Sequence, residues 1–225
     1  VSLARLMATC PSDDKLPVLL EAFKDRSPLV RASAAMGVGA SGDPKVVSAL
    51  VRATGDDFRL VRIRAASVLA GLPPASLPPA DRTRVFAALK ELEASLRARS
   101  DDWASQYNLG NLFSDLGRLE EALTAYDLAA RFRPDAVQPL VNAAIVQARL
   151  GRTEQADQAL AKAVAIQPKN AAALFNLALL RAEQGKNEQA EQHLRAALQA
   201  EPTMAQAAFN LGVLISKDRP AEAIE

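Results

Sequence analysis

The sequence predicts an all-α chain built as a two-part α-solenoid, and three observations carry that expectation. Asn108, Asn142, Asn176 and Asn210 stand 34 residues apart at every step, in the phrases Tyr107-Asn108-Leu109-Gly110, Val141-Asn142-Ala143-Ala144, Phe175-Asn176-Leu177-Ala178 and Phe209-Asn210-Leu211-Gly212. A fixed period held over three intervals marks stacked units, and 34 is the length of a two-helix repeat. Earlier in the chain the period is 31: Leu19 and Leu50, Asp25 and Asp56, Val30 and Val61, Arg31 and Arg62 all repeat at that spacing. Finally, the 49% apolar content is mostly Ala and Leu with only 4% aromatics, and Val, Ile and Thr form no alternating runs, so closely packed helices are favoured over strands.

In chain order, residues 1–71 hold two full 31-residue units and the tail of an earlier one in residues 1–9. Apolar helices near 15–24 and 44–54 precede the phrases Asp25-Arg26-Ser27-Pro28-Leu29-Val30-Arg31 and Asp56-Asp57-Phe58-Arg59-Leu60-Val61-Arg62; Ala-rich helices near 28–39 and 59–70 follow. Pro28 suits a first helical position, where its missing N–H is unpaired anyway. Gly42 and Gly71 are expected just past helix ends. The Asp…Val-Arg-x-x-Ala-Ala pattern resembles the short HEAT-like repeat. That resemblance implies that Asp25, Arg31, Asp56 and Arg62 form a structural ladder joining neighbouring units rather than a catalytic set.

Residues 72–80, Leu72-Pro73-Pro74-Ala75-Ser76-Leu77-Pro78-Pro79-Ala80, place four prolines in nine residues, which forbids a helix and favours stiff extended chain. The domain boundary is expected here. Asp81 then caps a helix of about 18 residues in the segment 81–102, with Val85, Ala88, Leu89, Leu92 and Leu96 at helical spacing. It is expected to cover the first 34-residue unit, although packing on residues 59–71 would instead lock the hinge.

Residues 103–225 hold three full units (103–136, 137–170, 171–204) and a truncated fourth. Gly117, Gly151 and Gly185 make the turns, where a left-handed residue costs glycine least. Ala122, Ala156 and Ala190 stand where two helices cross, Tyr126, Leu160 and Leu194 fill a large site, and Pro134, Pro168 and Pro202 end each unit. In the fourth unit Ser216-Lys217-Asp218-Arg219-Pro220 replaces the glycine turn and Ala223 arrives one residue early. These positions resemble the tetratricopeptide repeat (TPR) family. The resemblance implies a right-handed superhelix whose first helices line a concave groove, and a protein- or peptide-binding scaffold that serves assembly or docking.

On that resemblance the groove positions are Tyr107, Asn108 and Asn111 in the first unit, Asn142, Ile145 and Arg149 in the second, Phe175, Asn176, Leu179 and Glu183 in the third, and Phe209, Asn210 and Val213 in the fourth, with Lys217 at the rim. An amide donates and accepts, so a row of asparagines could hold a peptide backbone without reading its side chains. Equally, these amides could bond to neighbouring helices. TPR modules that clamp a carboxylate carry lysine at the fifth position of a unit, and none of Tyr107, Val141, Phe175 or Phe209 is one.

The rest is exclusion. Lys+Arg 27 against Asp+Glu 26 leaves a net charge of +1, so no strong field favours nucleic acid or an anionic membrane. Arg26, Arg31, Arg52, Arg59, Arg62 and Arg64 are nearly balanced by acidic neighbours, and nucleic acid is not an expected partner. No run of 18 apolar residues would insert in a membrane. Cys10 is the sole cysteine and His193 the sole histidine, too few for a zinc site of usual composition. His193 reads as a solvated surface residue. No nucleophile–base pair or phosphate loop stands out, so neither enzymatic activity nor a cofactor is expected. Val1 begins and Glu225 ends within helical pattern, which reads as a piece of a longer protein whose apolar faces at Val1–Leu6 and Leu211–Ile224 would let cut ends self-associate. Alternative readings are a structural spacer or oligomerisation solenoid, or an accessory region. The order of HEAT-like repeats, Leu-Pro-Pro linker and TPR array resembles the C-terminal region of bacterial multihaem cytochromes, which would imply a periplasmic location.

Overall fold

A computed structural model describes residues 15–72, 77 and 79–216. The expected partial unit in residues 1–9, Cys10, most of the Pro-rich linker, the fourth turn from Lys217 on, the apolar face at Val1–Leu6 and the part of the other apolar face beyond Ser216 lie outside the described residues, as does the fourth unit's second helix. The described residues form twelve α-helices and one 3₁₀ turn, with no strand among them. They fall into two compact units: Val1–Ser100 with Leu112–Arg118, and Asp101–Asn111 with Leu119–Glu225.

The first unit contains α1 (Lys15–Ala22), α2 (Pro28–Gly37), α3 (Pro44–Ala53), α4 (Arg59–Ala70) and α5 (Arg82–Arg97). Proline opens α2 and α3, and the Asp43 carboxylate caps α3 by accepting from the Lys45 N–H at 2.7 Å. Helix α4 packs on α2, α3 and α5. Helices α2 and α4 are in contact, and Ala32, Ala34 and Ala35 of the one and Val61, Ala65 and Ala66 of the other are fully buried. Two local expectations are corrected. Helix α2 ends at Gly37 and the glycine that follows it most closely is the left-handed Gly39 (φ 63°), not Gly42; Gly71 does stand directly past a helix, as the C-cap of α4, with right-handed backbone. Asp81 stands at the N-cap of α5 but accepts no helix N–H. It sits at the end of the 3₁₀ turn Pro79–Asp81 with helical backbone angles, and its carboxylate pairs with Arg84 instead.

The second unit contains the first part of α6 (Trp103–Asp115), then α7 (Leu119–Phe132), α8 (Gln138–Arg149), α9 (Thr153–Ile166), α10 (Ala171–Glu183), α11 (Asn187–Ala200) and α12 (Ala205–Ile215). Successive helices from α7 to α12 pack in chain order, and α8 also meets α10, the arrangement of a solenoid. One turn geometry recurs. Gly117, Gly151 and Gly185 have φ of 73°, 72° and 72°. The N–H one residue later bonds five residues back: Arg118 to the Phe113 carbonyl (2.7 Å), Arg152 to Gln147 (2.8 Å) and Lys186 to Arg181 (2.9 Å). That pattern satisfies the orphan carbonyls of each first helix and needs a left-handed residue at the glycine.

Inside each 34-residue unit the two helices meet at a size-matched pair. Gly110 of α6 lies against the Tyr126 ring of α7. In the next unit Ala144 shares a core with Leu160, and in the third Ala178 shares one with Leu194. The smaller first-helix residue stands opposite the larger second-helix one, so the crossing is filled in all three units.

Candidate functional site

In the first unit the repeat-to-repeat bonds run along a chain of arginines. Arg31 of α2 donates from Nε and Nη2 to both carboxylate oxygens of Asp56 (2.7 and 2.9 Å), and from Nη1 to the Asp25 and Arg26 carbonyls (2.8 and 3.2 Å). One period later Arg62 of α4 donates to the Asp56 and Asp57 carbonyls (2.8 and 3.1 Å) and to both oxygens of Glu91 on α5 (2.8 and 2.9 Å). The Asp25 and Asp56 carboxylates also hold their own turns, accepting from the Ser27 and Phe58 N–H groups (2.7 and 2.9 Å). The Arg31 hydrogen bond holds the Asp56 carboxyl below its ordinary range, and the Arg62 hydrogen bond does the same for Glu91. Glu91 ends the series in place of an aspartate. It lies 35 residues after Asp56 and on a helix rather than a turn, so no period reveals it. Also within this unit, Glu93 accepts from Arg118 (2.7 Å), whose guanidinium lies 4.2 Å from the Phe113 ring centroid.

The asparagines of the second unit occupy equivalent positions but bond in three ways. The Asn108 side chain is exposed and has no hydrogen-bond partner among the described residues. Asn142 of α8 reaches back to α6, donating from Nδ2 to the Tyr107 hydroxyl (3.1 Å) and to Asn111 Oδ1 (2.9 Å). That same Asn111 oxygen accepts from the Tyr126 hydroxyl (2.8 Å). Asn176 and Asn210 fold back on their own helices, donating to the Ala172 and Gln206 carbonyls (2.8 Å each). The preceding unit explains the difference. Tyr107 and Asn111 offer oxygens to Asn142, whereas one and two periods on the same positions are Val141 and Ile145, then Phe175 and Leu179, which offer none.

Around these amides the exposure of the apolar neighbours varies. Val141 is buried and Phe175 and Leu179 are half-buried, Phe175 against the core of α10 to α12. Ile145 is 40% exposed, Phe209 71% and Val213 57%, so an apolar surface continues to the last described helix. Arg149 and Glu183 are exposed as well. Trp103 and Tyr107 pack at a ring separation of 6.3 Å, and the Arg133 guanidinium lies 4.7 Å from the Trp103 ring centroid. Across the seam of the first two TPR units Arg152 makes a bidentate, exposed bridge to Glu120 (3.0 and 2.5 Å).

The register of His193 suggests a solvated surface residue, and the structure shows it only partly exposed. It is half-buried on α11, near Arg181 of α10 and Asp157 of α9. Arg181 and Asp157 approach to 2.6 Å, but out of line for a hydrogen bond: Asp157 Oδ1 and Arg181 Nε are buried without a hydrogen-bond partner. Burial first, then the Arg181 charge, hold the imidazole below its ordinary value of 6.5. The unfolded chain therefore binds this proton more readily than the folded one. The stability involved is present above pH 6.5 and is lost as pH falls through the lowered folded value. The chain should melt lower at pH 5 than at pH 7.5, and His193→Gln should reduce that difference; an unchanged difference would remove His193 from the account.

The Tetratricopeptide repeat family profile matches residues 81–137, 141–205 and 177–225. The chain belongs to the tetratricopeptide repeat family. The HEAT repeats profile matches residues 2–70, so the TPR array follows a segment of a second repeat type. No curated protein matches the chain. Among solved structures, MamA is similar with a TM-score of 0.53 and 18% identity, over 66% of this chain and 90% of that one. A MamA 41-end structure from Desulfovibrio magneticus RS-1 is similar with a TM-score of 0.51 and 22% identity, over 64% of this chain and 80% of that one. At those identities the likeness is one of fold. Among the described residues no helix of this TPR protein is long and apolar enough to cross a membrane, and no group of three or more His, Cys, Asp or Glu side chains could hold a metal ion.

Proposed function

We propose that this TPR protein is a protein-interaction scaffold whose second unit binds an extended peptide segment along its first helices, as the docking region of a larger assembly. The observation that carries this reading is the row of amides at one position per unit, with unbonded oxygens on Asn108, Asn142, Asn176 and Asn210, beside the exposed apolar side chains of Ile145, Phe209 and Val213. Exposed apolar surface next to unsatisfied amides suits a ligand that supplies both backbone polar groups and apolar side chains. The lack of lysine at the fifth positions disfavours an acidic tail.

Asn142 also supports a structural reading at its own rung, since both its N–H groups are used across a seam. Asn176 and Asn210 are therefore the cleaner test. Dodecapeptides selected from a random library on the full chain should bind Asn176→Ala/Asn210→Ala about tenfold more weakly, the loss of one or two hydrogen bonds, with melting unchanged. Undiminished binding would leave the row a spacer feature and defeat the proposal.

A further inference from the structure

We infer that the peptide enters as a polyproline II segment giving one backbone N–H to each repeat, not as a β-strand. The inference rests on the groove reading above and concerns the chemistry and shape of the occupant. It starts from which half of each amide is already in use. Asn142 spends both N–H groups on Tyr107 and Asn111, and Asn176 and Asn210 each spend one on a carbonyl of their own helix. In all three the Oδ1 atom has no partner. The row thus presents acceptors at regular steps, and its natural complement is a row of donors. A backbone N–H every few residues supplies that; a carboxylate or phosphate, which only accepts, does not.

The step length selects the conformation. Helices α8 and α10 are in direct contact, and α6 and α8 are joined by the Asn142 bonds. Directly packed helices lie about 8–10 Å apart, so equivalent side chains on successive first helices repeat at about that distance. In a β-strand the N–H groups on one side recur every second residue, about 6.7 Å, and fall out of phase with the helices within one step. In polyproline II the same side recurs every third residue at ~3.1 Å per residue, about 9.3 Å, and stays in phase over several units. This backbone also has no internal hydrogen bonds, so its N–H groups are free to be given away. Proline would then be accepted at two positions in three and excluded from the third, where the N–H is needed. The exposed Ile145, Phe209 and Val213 would cover the apolar residues between the bonded positions.

The test uses three blocked dodecapeptides and fluorescence anisotropy with the full chain. The first is (Leu-Pro-Pro)4, which has a polyproline II preference and one N–H per turn. The second is its N-methyl-leucine counterpart, which keeps the apolar side chains but has no backbone N–H. The third is (Thr-Val)6, a strand former. The first should bind, the second about tenfold more weakly, and the third more weakly than the first. On Asn176→Ala/Asn210→Ala the difference between the first two should shrink. Equal binding of the first two, or tighter binding of (Thr-Val)6, overturns the inference; both comparisons are made on the unaltered chain, so no variant has to fold for them. Failure of (Leu-Pro-Pro)4 to bind also overturns it, and if library-selected peptides still depend on Asn176 and Asn210, the groove reading survives that failure.

Discussion

Gly110→Ala is expected to destabilise the second unit by about 1–3 kcal/mol, the usual range for forcing an extra methyl into a filled crossing. A Cβ built on Gly110 would lie 2.9 Å from Tyr126 Cζ and closer still to the Cδ1 and Cε1 ring atoms. The ring cannot simply swing aside, because its hydroxyl is tied to Asn111, which in turn holds Asn142. The later units show the remedy, since each carries alanine opposite leucine: Ala144 with Leu160, Ala178 with Leu194. The double variant Gly110→Ala/Tyr126→Leu should therefore be more stable than the sum of its single variants predicts, with a coupling of about 1 kcal/mol or more. Urea midpoints of the four proteins measure this. Strict additivity, or a Gly110→Ala midpoint equal to that of the parent, would contradict the size-matching account.

Asp56→Ala should cost the first unit ~2–3 kcal/mol at neutral pH, below the figure for a wholly buried pair because some water reaches it. The side chains of Arg31 and Asp56 retain 15% and 13% of their exposure. The substitution removes both Arg31 bonds and the acceptor for the Phe58 N–H, leaving a half-buried guanidinium whose hydrogen-bond acceptors are the Asp25 and Arg26 carbonyls alone. The pH dependence follows from the lowered carboxyl. Its stability contribution is complete above the ordinary aspartate value of 3.8 and is lost as pH falls through the folded value. The gap between parent and variant should thus be widest at pH 7 and narrow on acidification, which urea melts at pH 7 and pH 3 would show. A gap that widens in acid would mean that the carboxylate is not what stabilises the turn. The exposed bridge Arg152–Glu120 has the same bidentate form but sits in water, and its removal should pass almost unnoticed.

Much of the fold was legible because both parts repeat. A period fixes equivalent positions, and alanine, glycine and proline at those positions mark crossings, turns and ends. The glycine turns show why: one backbone geometry recurs in three units, and it needs the left-handed residue at Gly117, Gly151 and Gly185. What equivalent side chains bond to is another matter. Asn142 and Asn176 are identical in register, yet one crosses a seam and the other turns back, because Tyr107 and Asn111 are polar where Val141 and Ile145 are not. That difference lies in residues a period away, so comparing preceding units would have exposed it. His193 could not be read this way. Its half-buried setting and the Arg181 and Asp157 charges that act on it come from the packing of other helices, and neither spacing points to them. Glu91 was hidden for the same reason: it serves the Arg62 rung from outside the 31-residue period.

The size-matched crossings also bear on how such an array can change over generations. Each large-and-small couple lies within one unit, so copying or deleting a 34-codon block keeps the couple together and preserves the reading frame. Residues 137–170 could be duplicated in tandem with their crossing intact. The Asn142 tie is different, since Tyr107 and Asn111 belong to the unit before it. Any incoming unit with asparagine at this position could form the tie behind residues 103–136. A unit placed elsewhere would lose it. Recombination could therefore lengthen the array freely downstream, whereas losing residues 103–136 would remove the partners of the Asn142 tie.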